Sequence, residues 1–179
     1  MKRILLRHWR AADAPDVAAS VNFRSVTRMT AAMPYPYLLS DAQAWLKDCV
    51  RWTRTQQKSK IRLAIIIDHH AVGSISADRK GNQAEIGYWL APKLHGQGMM
   101  TQALKQFALI VFRQWDVERL MAKTFLYNPA SGRVLEKAGF TKTALEQHSI
   151  KKNGRWLDNY IYTRYRRYHG CSNSMIILI

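Results

Sequence analysis

Between Ala84 and Trp115 three patterns follow one another, and together they restrict the fold more than any other stretch of the chain. AEIGYWL at 84–90 is a short apolar run bounded by turn residues, which predicts a strand. LHGQGMM at 94–100 then sets Gly96 and Gly98 one residue apart. From Gln97 the apolar residues Met100, Ala103, Leu104, Phe107, Val111 and Trp115 keep i, i+3, i+4 and i+7 spacing over about five turns, which predicts a long amphipathic helix. Glycine costs about 0.5–1 kcal/mol relative to alanine inside a regular element, so a pair at a strand–helix junction marks backbone that must approach something closely. Strand, glycine turn and helix N-terminus form the arrangement whose free N–H groups and positive dipole end hold a phosphate. Two phosphate motifs are excluded: the GxGxxG fingerprint needs a glycine at 101, where Thr101 stands, and no GK[ST] of a Walker loop is present.

The flanking patterns predict an α/β or α+β chain. Leu5, Arg7 and Trp9 alternate with Leu6, His8 and Arg10 before Asp13, a candidate helix N-cap. After the prolines of MPYPY, Ser40 and Asp41 open a helix with Ala44, Trp45, Cys49, Val50 and Trp52 on one face, ending in a solvated basic skirt of Arg51, Arg54, Lys58 and Lys60. Alternation over Ile61–Ile67 and 72–77, with turns at DHH and KGN, joins AEIGYWL in a three-strand antiparallel meander. LMAKTFL at 120–126 reads as a strand, and Asn128-Pro129 opens a short helix that stops at Gly139. FTKTALEQHSI and RWLDNYIYTRY flank Asn153-Gly154 as a closing hairpin, whose last strand is expected to bury Trp156, Tyr160 and Tyr162. One domain over 1–168 is expected, followed by a tail at 169–179 whose MIILI is either a sticky strand or foreign to the domain.

Charge bounds the partners. Among 179 residues, 28 Lys and Arg face 12 Asp and Glu, a formal +16 that attracts nucleic acid, ribosomes or phosphorylated ligands. Cys49 and Cys171 share no CxxC spacing, and His69-His70 sits at a turn without an i, i+4 partner, so neither a disulfide framework nor a metal is expected. No apolar stretch reaches the roughly 20 residues of a membrane span, which points to a cytoplasmic protein with no membrane partner.

EIGYWLAPKLHGQGMMTQAL followed by NPASGRVLEKAGF resembles the acyl-CoA signature of the GNAT N-acetyltransferases, most closely the branch of ribosomal-protein N-terminal acetyltransferases. The resemblance runs from the opening strand to RWLDNYIYTRY and implies a mixed, mostly antiparallel central sheet flanked by helices, with a splayed central strand pair. It implies acetyl-CoA as cosubstrate. The family's Q/R-x-x-G-x-G/A loop becomes Lys93-Leu94-His95-Gly96-Gln97-Gly98, leading into Met99 and Met100, with Lys93 in place of Gln or Arg. Backbone N–H groups of that loop would hold the pyrophosphate; His95 reads equally as a lone exposed histidine. Splaying at Tyr88, Trp89 and Leu90 would leave backbone groups for pantetheine, a strand addition by a ligand. The Leu90 N–H would then stabilise the oxyanion formed as an amine attacks.

Asn128 matches the asparagine that faces the pantetheine arm and is also a helix cap. Glu85 shares a strand face with Gly87 and Trp89; it is the candidate base through a water, or else a solvent-facing carboxylate. The family's N-x-x-A-x-x-L-Y register gives Val134-Leu135 here, so its tyrosine acid is absent. Ser131, as in the resembling branch, is the replacement, with a local cap as its other reading and Tyr127 as a second candidate. Arg133 and Lys137 lie one turn apart, facing the cofactor's ribose phosphate or simply solvent. The acceptor would be a primary amine, a protein N-terminus or a small molecule, flanked by residues 22–37 and the hairpin around Asn153. Direct transfer in a ternary complex is expected because neither cysteine lies near the motifs. The alternative is a basic RNA- or ribosome-binding module on the same fold without turnover.

Overall fold

The computed structural model describes residues 3–30, 32–54, 59–152 and 154–167. Lys58, Asn153, Cys171 and the 169–179 tail lie outside the described residues. The chain opens with β1 (Leu5–His8), a single 3-10 turn, and helices α1 (Ala14–Val21), α2 (Arg24–Thr27) and α3 (Leu39–Arg54). The meander follows as β2 (Lys60–Ile67), β3 (His70–Lys80) and β4 (Gln83–Leu90). Then come α4 (Met99–Gln114), β5 (Arg119–Phe125), α5 (Pro129–Lys137) and the hairpin β6 (Thr141–Lys152) and β7 (Arg155–Tyr165). The seven strands lie in the order β1-β2-β3-β4-β5-β7-β6, and β4 with β5 is the parallel pair in an otherwise antiparallel sheet.

Each face of the sheet has its own apolar core, because strand alternation sends successive side chains to opposite sides. On one side Leu104, Phe107 and Val111 of α4 and Leu135 of α5 are fully buried against Ile65, Ile75, Ile86 and Leu120. Fully burying a side chain of that size contributes about 1.5–3 kcal/mol, which makes the apolar stripe of α4, spaced three and four residues apart, the main reason that helix forms. On the other side α1 and α3 cover the β1–β3 part and the end of β4, where Val17, Val21 and Leu46 meet Trp9, Ile66 and Trp89. Trp9 and Trp89 stack with ring centres 6.5 Å apart.

Three expectations change. Asp13 stands at the N-cap of α1 without capping it. Its carboxylate instead accepts two 2.8 Å bonds from the Arg7 guanidinium and one from the Arg10 N–H. The buried ion pair offers a stronger partner than a helix N–H does. Trp156 is 56% exposed, whereas Tyr162 is buried: Trp156 sits near the hairpin tip opposite Lys151, and Tyr162 lies deeper in the sheet, opposite Ala122 of β5. The short α2 has no apolar period that would announce it in the sequence. The DHH turn forms as expected: Asp68 and His69 adopt positive φ, and Asp16 of α1 accepts the Ala71 N–H at 2.8 Å beside His70 Nδ1 at 3.1 Å.

Candidate functional site

β4 and β5 begin as neighbours and then part. Their pairing runs from Gln83↔Arg119 to Ile86↔Ala122 and ends, although β4 continues to Leu90 and β5 to Phe125. Each strand stays attached on its other side, β4 to β3 through Gly73↔Leu90 and β5 to β7 through Phe125↔Asn159. The result is the expected splay, a wedge-shaped gap in the middle of the sheet. The Ala91 N–H donates to Val72 O, so the two-residue alternation turns the backbone groups of Tyr88 and Leu90 away from β3 and into the gap. Leu90 O is taken up by His95 Nε2 at 2.8 Å, a contact in which the ring nitrogen carries the proton.

The same imidazole draws the glycine turn onto the strand end. Pro92–Leu94 makes one 3-10 turn, and the chain then passes Gly96 at φ 75° and Gly98 at φ 74°. A Cβ at either glycine would meet nothing within 4 Å, so glycine is required by backbone conformation and not by crowding from the rest of the chain. Left-handed Gly98 is the N-cap of α4, no side chain caps that end, and the first helical bond is Gln102 N–H to Gly98 O. Met99, Met100 and Thr101 therefore keep N–H groups with no helical acceptor, at the positive end of a sixteen-residue helix. This fits a phosphate. The Gln97 side chain donates to Lys93 O at 2.9 Å and holds the loop closed, while the side chains of Lys93, His95 and Gln97 are exposed and those of Met99 and Met100 are buried.

Across the gap, α5 presents its first turn. Asn128 is the cap, with Oδ1 accepting the Ser131 N–H at 3.2 Å. Ser131 Oγ lies 2.8 Å from the Tyr88 hydroxyl, which also reaches Ser131 O at 3.2 Å. Burial pushes the Tyr88 phenol well above its ordinary pKa, the bond to Ser131 opposing it only in part. The close approach of α5 rests on Gly132, where a Cβ would stand 2.5 Å from the Tyr162 hydroxyl. Neither Tyr88 as a partner of Ser131 nor Gly132 is visible from periodicity; the NPASG sequence is the one local signal.

Glu85 is held apart from this group. It lies within the paired part of β4, on the face opposite Tyr88, and its carboxylate is bound to Lys80 at 2.7 Å. Lys80, Gln83, Met121 and Lys123 complete a pocket of about 140 Å3 around it, with Lys123 paired to Glu146 at 2.5 Å. Arg133 and Lys137 are exposed on the outer side of α5. Among the described residues no three His, Cys, Asp or Glu side chains gather as a metal would need.

The segments expected beside the acceptor do meet. Lys152, at the end of β6, donates to Thr27 O at 2.7 Å and to Thr30 O, joining the hairpin to α2. Burial pulls its ammonium below the usual lysine pKa. Tyr127 stacks on Phe125 at 5.1 Å and donates to Arg28 O at 3.2 Å. Tyr127 thus faces α2 and its hydroxyl is engaged there. Cys49, the free cysteine of the described residues, is buried in the α3 core, and that burial raises its thiol to about 12.

Comparison with known proteins agrees with this layout. A probable N-acetyltransferase of Bacillus subtilis strain 168, YjcK, is 37% identical over 78 residues, 44% of this chain and 43% of that protein, so the chain spans less than half of the relative's length. The ribosomal-protein-serine acetyltransferase of Escherichia coli K12 is 25% identical over 152 residues, 73% of this chain and 85% of that one. Among solved structures, the microcin C7 self-immunity acetyltransferase in complex with acetyl-CoA and AMP superposes with a TM-score of 0.81 at 21% identity, covering 91% of this chain and 92% of that one, which shows the shared fold. Residues 3–141 match the model of the acetyltransferase (GNAT) domain, and the chain belongs to that family.

Proposed function

We propose that this protein is an N-acetyltransferase that moves the acetyl group of acetyl-CoA directly to a primary amine in a ternary complex. The observation that carries the reading is the conjunction of the β4–β5 gap with an uncapped, glycine-turned helix N-terminus at its mouth. In this reading the backbone of Gly96, Gly98, Met99 and Met100, shaped by Lys93, His95 and Gln97, takes the pyrophosphate. The backbone of Tyr88 and Leu90 and the Asn128 amide take the pantetheine arm, and Arg133 takes the ribose phosphate, whereas the Trp89 backbone is turned to β3 and its ring packs under α1 and α3, so Trp89 has no part in this arm.

The chemistry follows from what an amine needs. An α-amino group with a pKa of about 8 or a lysine near 10.4 is largely protonated at pH 7, so a base must help remove a proton. Glu85, on the face opposite Tyr88, is the base through a water. As nitrogen attacks, negative charge grows on the thioester oxygen, and the Leu90 N–H that faces the gap is the donor for it. The C–S bond then breaks toward sulfur, and the Ser131 hydroxyl donates to the departing thiolate. A Cys49 thiol held near 12 and buried under α3 supports transfer without an acyl-cysteine.

A protein N-terminus is the favoured acceptor, supported by a relative named for ribosomal-protein serine. The +16 charge favours an anionic carrier of that amine, such as a ribosome, with its nucleic acid, and the cytoplasm as the place of work. The test is thiol release from acetyl-CoA, followed with DTNB, across N-terminal peptides, amino acids, polyamines and aminoglycosides. Turnover with a peptide class supports the reading; absence of both turnover and acetyl-CoA binding contradicts it.

A further inference from the structure

We propose that Tyr88 is a positioning residue for Ser131: its hydroxyl holds Ser131 Oγ as an acceptor, so that the serine's own proton is directed to the departing thiolate. This rests on the reading of Ser131 given above. A serine in the first turn of a helix ordinarily spends its hydroxyl on a local backbone group. Here the Asn128 N–H, the group that a side chain at position 131 would cap, already donates to Phe125 O at 2.9 Å, so the serine Oγ is not spent on capping. The Tyr88 hydroxyl has one proton and two acceptors within reach, Ser131 Oγ at 2.8 Å and Ser131 O at 3.2 Å.

These contacts define two states that differ only by rotation of hydroxyl hydrogens. When Tyr88 donates to Ser131 O, the serine proton points back at Tyr88. When Tyr88 donates to Ser131 Oγ, the serine proton is free to meet the sulfur. Charge growing on sulfur draws the pair into the second state with no movement of heavy atoms. In the step itself the C–S electron pair goes to sulfur, the amine proton leaves through the base, and the thiolate is stabilised by the Ser131 O–H before solvent protonates it. Tyr88 keeps its proton throughout, which agrees with the raised proton affinity of the buried phenol. It comes from the splayed part of β4, so the residue whose backbone faces the gap also sets the donor on the opposite wall.

The test compares Tyr88→Phe, Ser131→Ala and the double variant in kcat, in KM and in acetyl-CoA affinity by calorimetry, with thermal unfolding as the control for folding. Each is assayed with acetyl-CoA and with its selenoester, whose selenol leaves more easily. A hydrogen bond to a charged group sets the scale, so Ser131→Ala is expected to lower kcat roughly tenfold to a hundredfold and Tyr88→Phe roughly threefold to tenfold. Acetyl-CoA affinity stays unchanged, the double variant is no slower than Ser131→Ala, and both losses shrink with the selenoester. If Ser131→Ala slows turnover and Tyr88→Phe does not, the positioning role is overturned while the serine stands. If Ser131→Ala is as fast as the wild type, the serine reading fails and the proposal with it. A Tyr88→Phe loss that persists in the Ser131→Ala background, or that appears in affinity instead of kcat, assigns Tyr88 a packing role and overturns the proposal.

Discussion

His95 Nε2 donates to Leu90 O at 2.8 Å, and this one bond fastens the glycine turn to the end of the splayed strand. In the proposed reading it fixes the backbone that takes the pyrophosphate relative to the Leu90 N–H, two groups that would engage different parts of one long cosubstrate. Removing the imidazole with His95→Ala leaves a backbone carbonyl without its partner and loosens the turn, a loss of about 1 kcal/mol. The expected outcome is a KM for acetyl-CoA raised about fivefold with kcat little changed, measured by steady-state thiol release. An unchanged KM would show that the turn holds its place without His95.

The Arg7–Asp13 pair makes the base of the α1 layer sensitive to acid. Burial alone would raise the Asp13 pKa, but the Arg7 guanidinium and the Arg10 N–H outweigh it and hold the carboxyl below its ordinary value. A folded-state pKa below the unfolded one contributes stability that is present above about pH 4 and is lost as pH falls through the folded value. The urea midpoint of unfolding is therefore expected to fall below about pH 4 in the wild type, and to fall less steeply in Asp13→Asn. At pH 7, Arg7→Met leaves a carboxylate 8% exposed without its cation, and the expected cost is about 3 kcal/mol.

How much of this was legible in the sequence depended on the range of the interaction. α4 and the β2–β4 meander could be read because their periodicities are local and each buries a continuous apolar stripe. The glycine pair announced the turn for the same reason, with two positive φ angles that only a few residue types tolerate. Asp13 was misassigned because its partner Arg7 lies on a strand, outside any capping pattern. The bond from Lys152 to Thr27 spans 125 residues, and that from Tyr88 to Ser131 spans 43, so no window of sequence contains them. The candidate role of Ser131 came from family resemblance and that of Leu90 from resemblance together with the strand splay, whereas Glu85 was singled out by its place on the strand face, since one carboxylate, one N–H and one hydroxyl carry no motif of their own.

If the acceptor lies between α2 and the hairpin, as proposed, Lys152 bears on acceptor binding and not on cosubstrate binding. Its ammonium ties the hairpin to α2 through Thr27 O and Thr30 O, away from the glycine turn. Lys152→Ala removes charge-assisted bonds of about 1.5–3 kcal/mol and frees α2 from the hairpin. The acceptor KM is expected to rise about tenfold while acetyl-CoA affinity measured by calorimetry stays the same. A matching fall in acetyl-CoA affinity would mean that α2 and the gap are coupled.

The proposed mechanism places the pyrophosphate of acetyl-CoA at the glycine-turned N-terminus of α4. Gly98→Asp tests it most directly: the position has open space around it, so the substitution strains one φ angle by about 1–2 kcal/mol but meets no neighbour, while its carboxylate faces the phosphate site. The measurement is calorimetric titration of acetyl-CoA into the wild type and into this variant, each first shown to be folded. One-to-one binding by the wild type and loss of at least tenfold in the variant is the expected result. Equal affinity in both proteins, or no binding by the wild type, would contradict the assignment.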